Sequence, residues 1–143
     1  MWRELVERYD DVELEGPASE RDLRDLELRL GQPLPAALRE LLLECNGVVD
    51  EDGTDVVWSA DQIGLKNSEF RTGGDFSSLY MPFDALMFFG DNGGGDQFAF
   101  VRTPQRSDVF VWDHENDSRT WVAADLGTYL HRALSHAGED WYR

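Results

Sequence analysis

The sequence predicts an α+β domain with a mostly antiparallel sheet and helices packed around it, two helices leading and one closing the chain. Leucines recur at helical spacing between residues 20 and 45, and short apolar runs separated by turn residues fill 86–123. A last helical stripe follows at 126–134. Periods near 3.6 and near 2 thus occupy separate parts of the chain, as segregated helices and strands require.

Trp2, Leu5, Val6 and Tyr9 share one face of a short helix over residues 2–11, ahead of Gly16-Pro17. Ser19 precedes Glu20 and Asp22 as an N-cap with acidic first-turn residues should, and the stripe Leu23, Leu26, Leu30 stops at Gly31. Pro35 suits the first position of the next helix, Leu38, Leu41, Leu42 and Cys45 line its inner face, and Asn46-Gly47 supplies a left-handed stop. Val56-Val57-Trp58 reads as a strand, after which Ser59 caps a short helix from Ala60 to about Asn67. Residues 68–85, with Gly73-Gly74 and Pro82, read as a long surface loop.

Leu86 to Phe89 and Phe98 to Val101 are apolar runs suited to a buried sheet, joined by Gly90-Asp-Asn-Gly-Gly-Gly-Asp96. The glycines permit positive φ, and Asp91 and Asp96 are expected to keep the connection in water. A glycine-rich loop after a strand also raises the question of phosphate. The known cradles place a helix N-terminus after the glycines and a lysine nearby; here a strand-like run follows and the nearest charges are acidic, which excludes that chemistry. Asp108 to Asp113 alternates, turns through His114 to Ser118, and returns over Arg119 to Ala123 as a hairpin. Trp58, Trp112 and Trp121 are assigned to core packing. Asp125 caps a closing helix carrying Leu126, Tyr129, Leu130 and Leu134, which ends near Gly138.

A chain of 143 residues is expected to form one domain over residues 1–143. The 12% aromatic share is that of a folded protein and not of an acidic tail. With 29 acidic against 13 basic residues, the net charge of -16 argues against direct nucleic-acid or anionic-membrane binding and favours a basic protein partner. Cys45 is the only cysteine, so no disulfide forms within the chain and a reducing, cytoplasmic setting is expected. The charged N-terminus does not resemble a signal peptide.

No metal, cofactor or catalytic constellation is expected. Asp50, Glu51, Asp52 and Asp55 miss the calcium-loop pattern because glycine falls at the fourth position and not the sixth. His114, His131 and His136 lack zinc spacing. Asp113, His114 and Glu115 do not converge as nucleophile, base and orienter. The acidic loops are instead candidate contacts for a basic partner: Asp50, Glu51, Asp52 and Asp55 in one, Asp91, Asn92 and Asp96 in the second, and Asp113, Glu115 and Asp117 in the third.

The order of these segments carries a resemblance. A helix, the Leu34-Pro35 helix ending at Asn46-Gly47, the Trp58-Ser59 junction, Leu86 to Asp91 with Gly93-Gly94-Gly95-Asp96, Val109 to Asp113 and a closing amphipathic helix together resemble the SUKH superfamily. That superfamily includes fungal Smi/Knr cell-wall-assembly regulators and many bacterial immunity proteins. The resemblance covers roughly residues 17–135; residues 1–16 and 68–84 fit it least. It implies an α+β fold, no catalysis, no cofactor, and binding that neutralises a cognate toxin domain, a basic nuclease being one such partner. The alternative it implies is a regulatory scaffold, and the oligomeric state stays open.

Overall fold

The computed structural model describes residues 1–9, 12–72, 86–101, 106–135 and 141–142. Among them, five helices surround two antiparallel sheets. The first sheet is small, with β1 (Glu13–Leu14), β2 (Val48–Val49) and β3 (Asp55–Val57) in that spatial order. The second is a meander of β4 (Leu86–Asp91), β5 (Gln97–Val101), β6 (Val109–Asp113) and β7 (Ser118–Ala123).

Helix α1 (Trp2–Glu7) is shorter than the apolar spacing predicts, because the chain leaves the helix at Arg8. Tyr9 still contributes, its hydroxyl sharing a 2.6 Å hydrogen bond with His131 Nδ1. Helix α2 (Glu20–Leu30) starts in the expected way: Ser19 Oγ accepts from Asp22 N, and Asp22 Oδ2 accepts from Ser19 N. This capping box satisfies two end donors at once. Gly31, at φ 77°, closes the helix in the left-handed conformation. In α3 (Ala36–Glu44), Pro35 is the N-cap and not the first helical residue, and Leu38, Leu41 and Leu42 are buried.

Strands β1 and β2 have no counterpart in the sequence reading. Each has two residues, too few for alternation to register. Helix α4 runs from Ala60 to Thr72, past the expected end at Asn67, so the first part of the supposed loop is helical; residues 73–85 lie outside the described residues. Ser59 opens α4, accepting from Gln62 N while Gln62 Oε1 accepts from Ser59 N. Helix α5 (Leu126–Ser135) is capped by Asp125, whose Oδ1 accepts from Thr128 N at 2.8 Å. Its expected end near Gly138 lies outside the described residues.

Hydrogen bonds tie β3 to the second sheet and to α5. Trp58 N donates to Phe89 O at 2.7 Å, and the Tyr129 hydroxyl of α5 donates to Val56 O at 2.7 Å. β3 therefore lies hard against β4 where the pairing with β5 shifts register between Phe88 and Gly90. The approach is so close that a Cβ on Gly90 would sit 2.1 Å from Val56 O. The outer edge of β4 is sealed by Asn67. Its Nδ2 donates to Phe88 O at 2.8 Å and its Oδ1 accepts from Phe88 N at 2.8 Å, so one side-chain amide imitates a neighbouring strand.

The core fills the space around these joints. Leu23, Leu38, Leu41, Leu42, Ile63, Met87, Phe88, Phe89, Phe98, Phe100 and Tyr129 are almost wholly buried. Phe89 stacks on Phe100, with ring centroids 4.6 Å apart, and meets Tyr129 edge-on at 5.1 Å. Trp58 and Trp112 are buried as expected, but Trp121 is not: it is 52% exposed on β7, the last strand of its sheet. Period-two alternation identifies a face, but it cannot tell whether a second layer covers that face.

Candidate functional site

Two acidic turns meet beside the joint between the sheets. One is Asp50 to Thr54, between β2 and β3. Its hydrogen bonds are local: Asp50 Oδ1 accepts from Asp52 N and Thr54 N, both at 2.9 Å, and Glu51 and Asp52 point into solvent as exposed residues. The other is Asp91 to Asp96, between β4 and β5. The two turns touch at Gly93, where an added Cβ would lie 3.0 Å from Thr54 Oγ1.

A cleft of about 410 Å³ opens where they meet. Asp50, Asp52, Thr54, Asp91, Asn92 and Gly93 come from the turns, Val56 from β3, Tyr129 and Ala133 from α5, and Trp141 from the C-terminal segment. No Lys, Arg or His is among these lining residues. Carboxylates crowd here enough to affect a neighbour. Burial, and then the Asp91 and Asp50 charges, push the Asp55 carboxyl above the usual range, against a hydrogen bond from Gln62. The Tyr129 phenol is raised well above its ordinary value by burial and the same two charges.

The second turn is held both by its own backbone donors and by side chains from elsewhere in the chain. Asp91 Oδ2 accepts from Trp58 Nε1 at 2.7 Å and its Oδ1 from Gly93 N at 2.8 Å. Asn92 Oδ1 accepts from Gly94 N and Asp96 N. Asp96, expected in water, is only 1% exposed. His114 Nδ1 lies 2.6 Å from its Oδ1, His114 N donates to the same oxygen, and the Tyr142 hydroxyl donates to Oδ2. Burial alone would raise this carboxyl, yet the hydrogen bonds from Tyr142 and His114 prevail and hold it below the usual range. Gly95, at φ 113°, lets the His114 ring lie against the backbone, since a Cβ there would come within 2.8 Å of it.

The ten predicted contact residues therefore separate. Asp50, Asp52, Asp91 and Asn92 line one cleft, with Glu51 exposed at its rim turn. Asp55 opens onto a different hollow, bordered by Gly16, Asn46 and Gln62. Asn92, Asp96 and Asp113 are buried, which their place in turn-like sequence did not suggest. Asp113 Oδ1 accepts from Glu115 N, and Asp117, at φ 55°, accepts from Trp112 Nε1 at 2.8 Å. These hold the β6–β7 turn in shape; Glu115 is exposed on it, away from the cleft lining. Sequence reasoning missed Tyr129, Ala133 and Trp141. Tyr129 was visible only as part of a core stripe.

Asp96, Asp113 and His114 bring ligand-type atoms within 4.8 Å of one another, a proximity that sequence spacing did not indicate. His114 Nδ1 and Asp96 Oδ1, 2.6 Å apart, are at hydrogen-bonding distance. Two ligands on a tetrahedral ion, each at ~2.0–2.1 Å, would have to part to about 3.3 Å. The arrangement accordingly works as a hydrogen-bonded clasp between the second turn and the β6–β7 turn.

Paired antiparallel sheets with helices around them make this a protein of the α+β class. The chain belongs to the SMI1/KNR4 family (SUKH-1), whose family model matches residues 17–132. No curated protein matches the chain in sequence comparison. None of the helices in the described residues is long and apolar enough to cross a membrane.

Proposed function

We propose that this protein is a non-enzymatic, cytoplasmic immunity protein that binds a basic toxin domain and blocks it through the acidic cleft. The observation that carries this reading is the convergence of Asp50, Asp52 and Asp91, from turns about forty residues apart, on one concave surface with no basic residue among its described lining residues. A surplus of 16 negative charges adds long-range attraction for a cationic partner, a nuclease being the leading candidate because its own substrate is polyanionic. Asp50, Glu51 and Asp52 make the principal contacts, with Asp91 beside them on the cleft wall; Glu115 extends the surface, and Asp55, Asn92, Asp96, Asp113 and Asp117 act by shaping it.

The test is co-expression with the toxin encoded beside this protein's gene. Protection of the cells, together with a complex whose association slows as salt rises, supports the reading. Failure to protect, with a housekeeping protein recovered repeatedly from the native host, would establish the regulatory-scaffold alternative instead.

A further inference from the structure

The acidic cleft is not walled by carboxylates alone. Val56, Tyr129, Ala133 and Trp141 also line it, so the cavity is charged at its turns and apolar or aromatic elsewhere. At about 410 Å³ it has the size that takes a small molecule or one long side chain. Two of its carboxylates are held in place by the protein's own donors. Asp50 Oδ1 accepts from Asp52 N and Thr54 N, while its Oδ2 meets no donor among the described residues. Asp91 takes Trp58 Nε1 on one oxygen and Gly93 N on the other, which leaves each oxygen a further lone pair. The two charges reach the same places, since both act on the Tyr129 phenol and on the Asp55 carboxyl. The Arg132 guanidinium, over the Trp141 ring at 5.6 Å, donates to Val122 O and is not among the lining residues.

We propose that the cleft is a socket for a single arginine side chain of the protein partner, its guanidinium held by Asp50 and Asp91 and its methylene stem lying on Val56 and Ala133. This rests on the reading of the cleft as the surface that binds a basic protein, and narrows it to one residue type. Carboxylates fixed in place favour a donor that is itself wide. Guanidinium spreads five N–H groups over a planar fork, whereas ammonium is a compact point charge. It is also the more weakly hydrated cation, so it loses less on entering a cavity whose remaining walls are apolar. Because both carboxylates are already oriented, little side-chain freedom is lost when the cation arrives.

The experiment uses the full chain, isotope-labelled for NMR and kept at low salt, titrated with acetyl-Gly-Arg-Gly-amide and with acetyl-Gly-Lys-Gly-amide. The Arg peptide should bind saturably, shifting the Trp58 indole and Gly93 amide signals, and about fivefold more tightly than the Lys peptide. Asp50→Asn keeps the oxygen that Asp52 N and Thr54 N need and removes only the charge. Circular dichroism checks its fold, and it should bind the Arg peptide about tenfold more weakly. Equal binding of the two peptides, shifts that do not saturate, or unchanged affinity in the folded variant would overturn the proposal. The result is separable from that of co-expression. Protected cells with equal Arg and Lys binding keep the immunity reading and remove the socket, and Arg-selective binding without protection does the opposite.

Discussion

The two acidic turns have similar composition and border the same cleft, yet they are built in opposite ways. In Asp50 to Thr54 the carboxylates serve their own turn or face solvent. In Asp91 to Asp96 they are committed to Trp58, His114 and Tyr142, side chains from three other parts of the chain. The same residue type is thus a surface charge in one turn and an internal fastener in the other. Burial decides between the roles, and burial is set by what folds over the turn.

The comparison can be broken most forcefully at Gly90. Gly90→Ala places a methyl 2.1 Å from the Val56 carbonyl, so β3 and β4 must separate. A loss of about 3 kcal/mol is expected in urea denaturation. Unchanged stability would mean that the joint beside the second turn is pliant. Asp96→Asn comes next, at about 2 kcal/mol, because a charged acceptor of several donors is lost. Its sign with pH is specific. The folded carboxyl is held below its unfolded value of about 4, so its contribution is complete above that pH and is lost as pH falls through the lower folded value. Denaturation midpoints of the variant should therefore fall less steeply on acidification below pH 4 than those of the parent.

Exchanging charge on the first turn should scarcely affect the fold. Glu51→Lys with Asp52→Lys is expected to change stability by no more than about 0.5 kcal/mol while slowing association with a basic partner several-fold at low salt. Stopped-flow rates across a salt series would measure it. The smallest effect is expected at Asp55, whose carboxyl is raised by burial and by Asp91. The folded state resists its ionisation, so this penalty sets in as pH rises past the unfolded value and is absent in acid. Asp55→Asn should raise the thermal midpoint slightly at neutral pH and leave it unchanged near pH 3.

What could be read from sequence was chiefly local. Ser19, Gly31, Ser59 and Asp125 mark helix ends by bonding to backbone within four residues, and all four do so here. The strands around the glycine turn were visible because their apolar runs are long. Asp96 could not be placed, since its fate depends on His114, 18 residues away, and Tyr142, 46 residues away. The cleft was half visible: its acids stood out, but its far wall comes from α5 and the C-terminal segment. Trp121 misled because an aromatic on a strand marks a side chain able to pack but not whether anything covers it; here the indole stays half-exposed and donates to Asp108.

Asn67 has a consequence during folding. A side-chain amide stands in for a strand along β4, and it arrives on a helix 21 residues earlier in the chain. Until α4 docks, Phe88 presents its peptide donor and acceptor on an apolar strand of phenylalanines. Any second nascent chain offers the same groups, so newly made molecules compete with α4 for that border. The yield of soluble protein from an Asn67→Leu variant would then depend on how crowded the chains are while they fold.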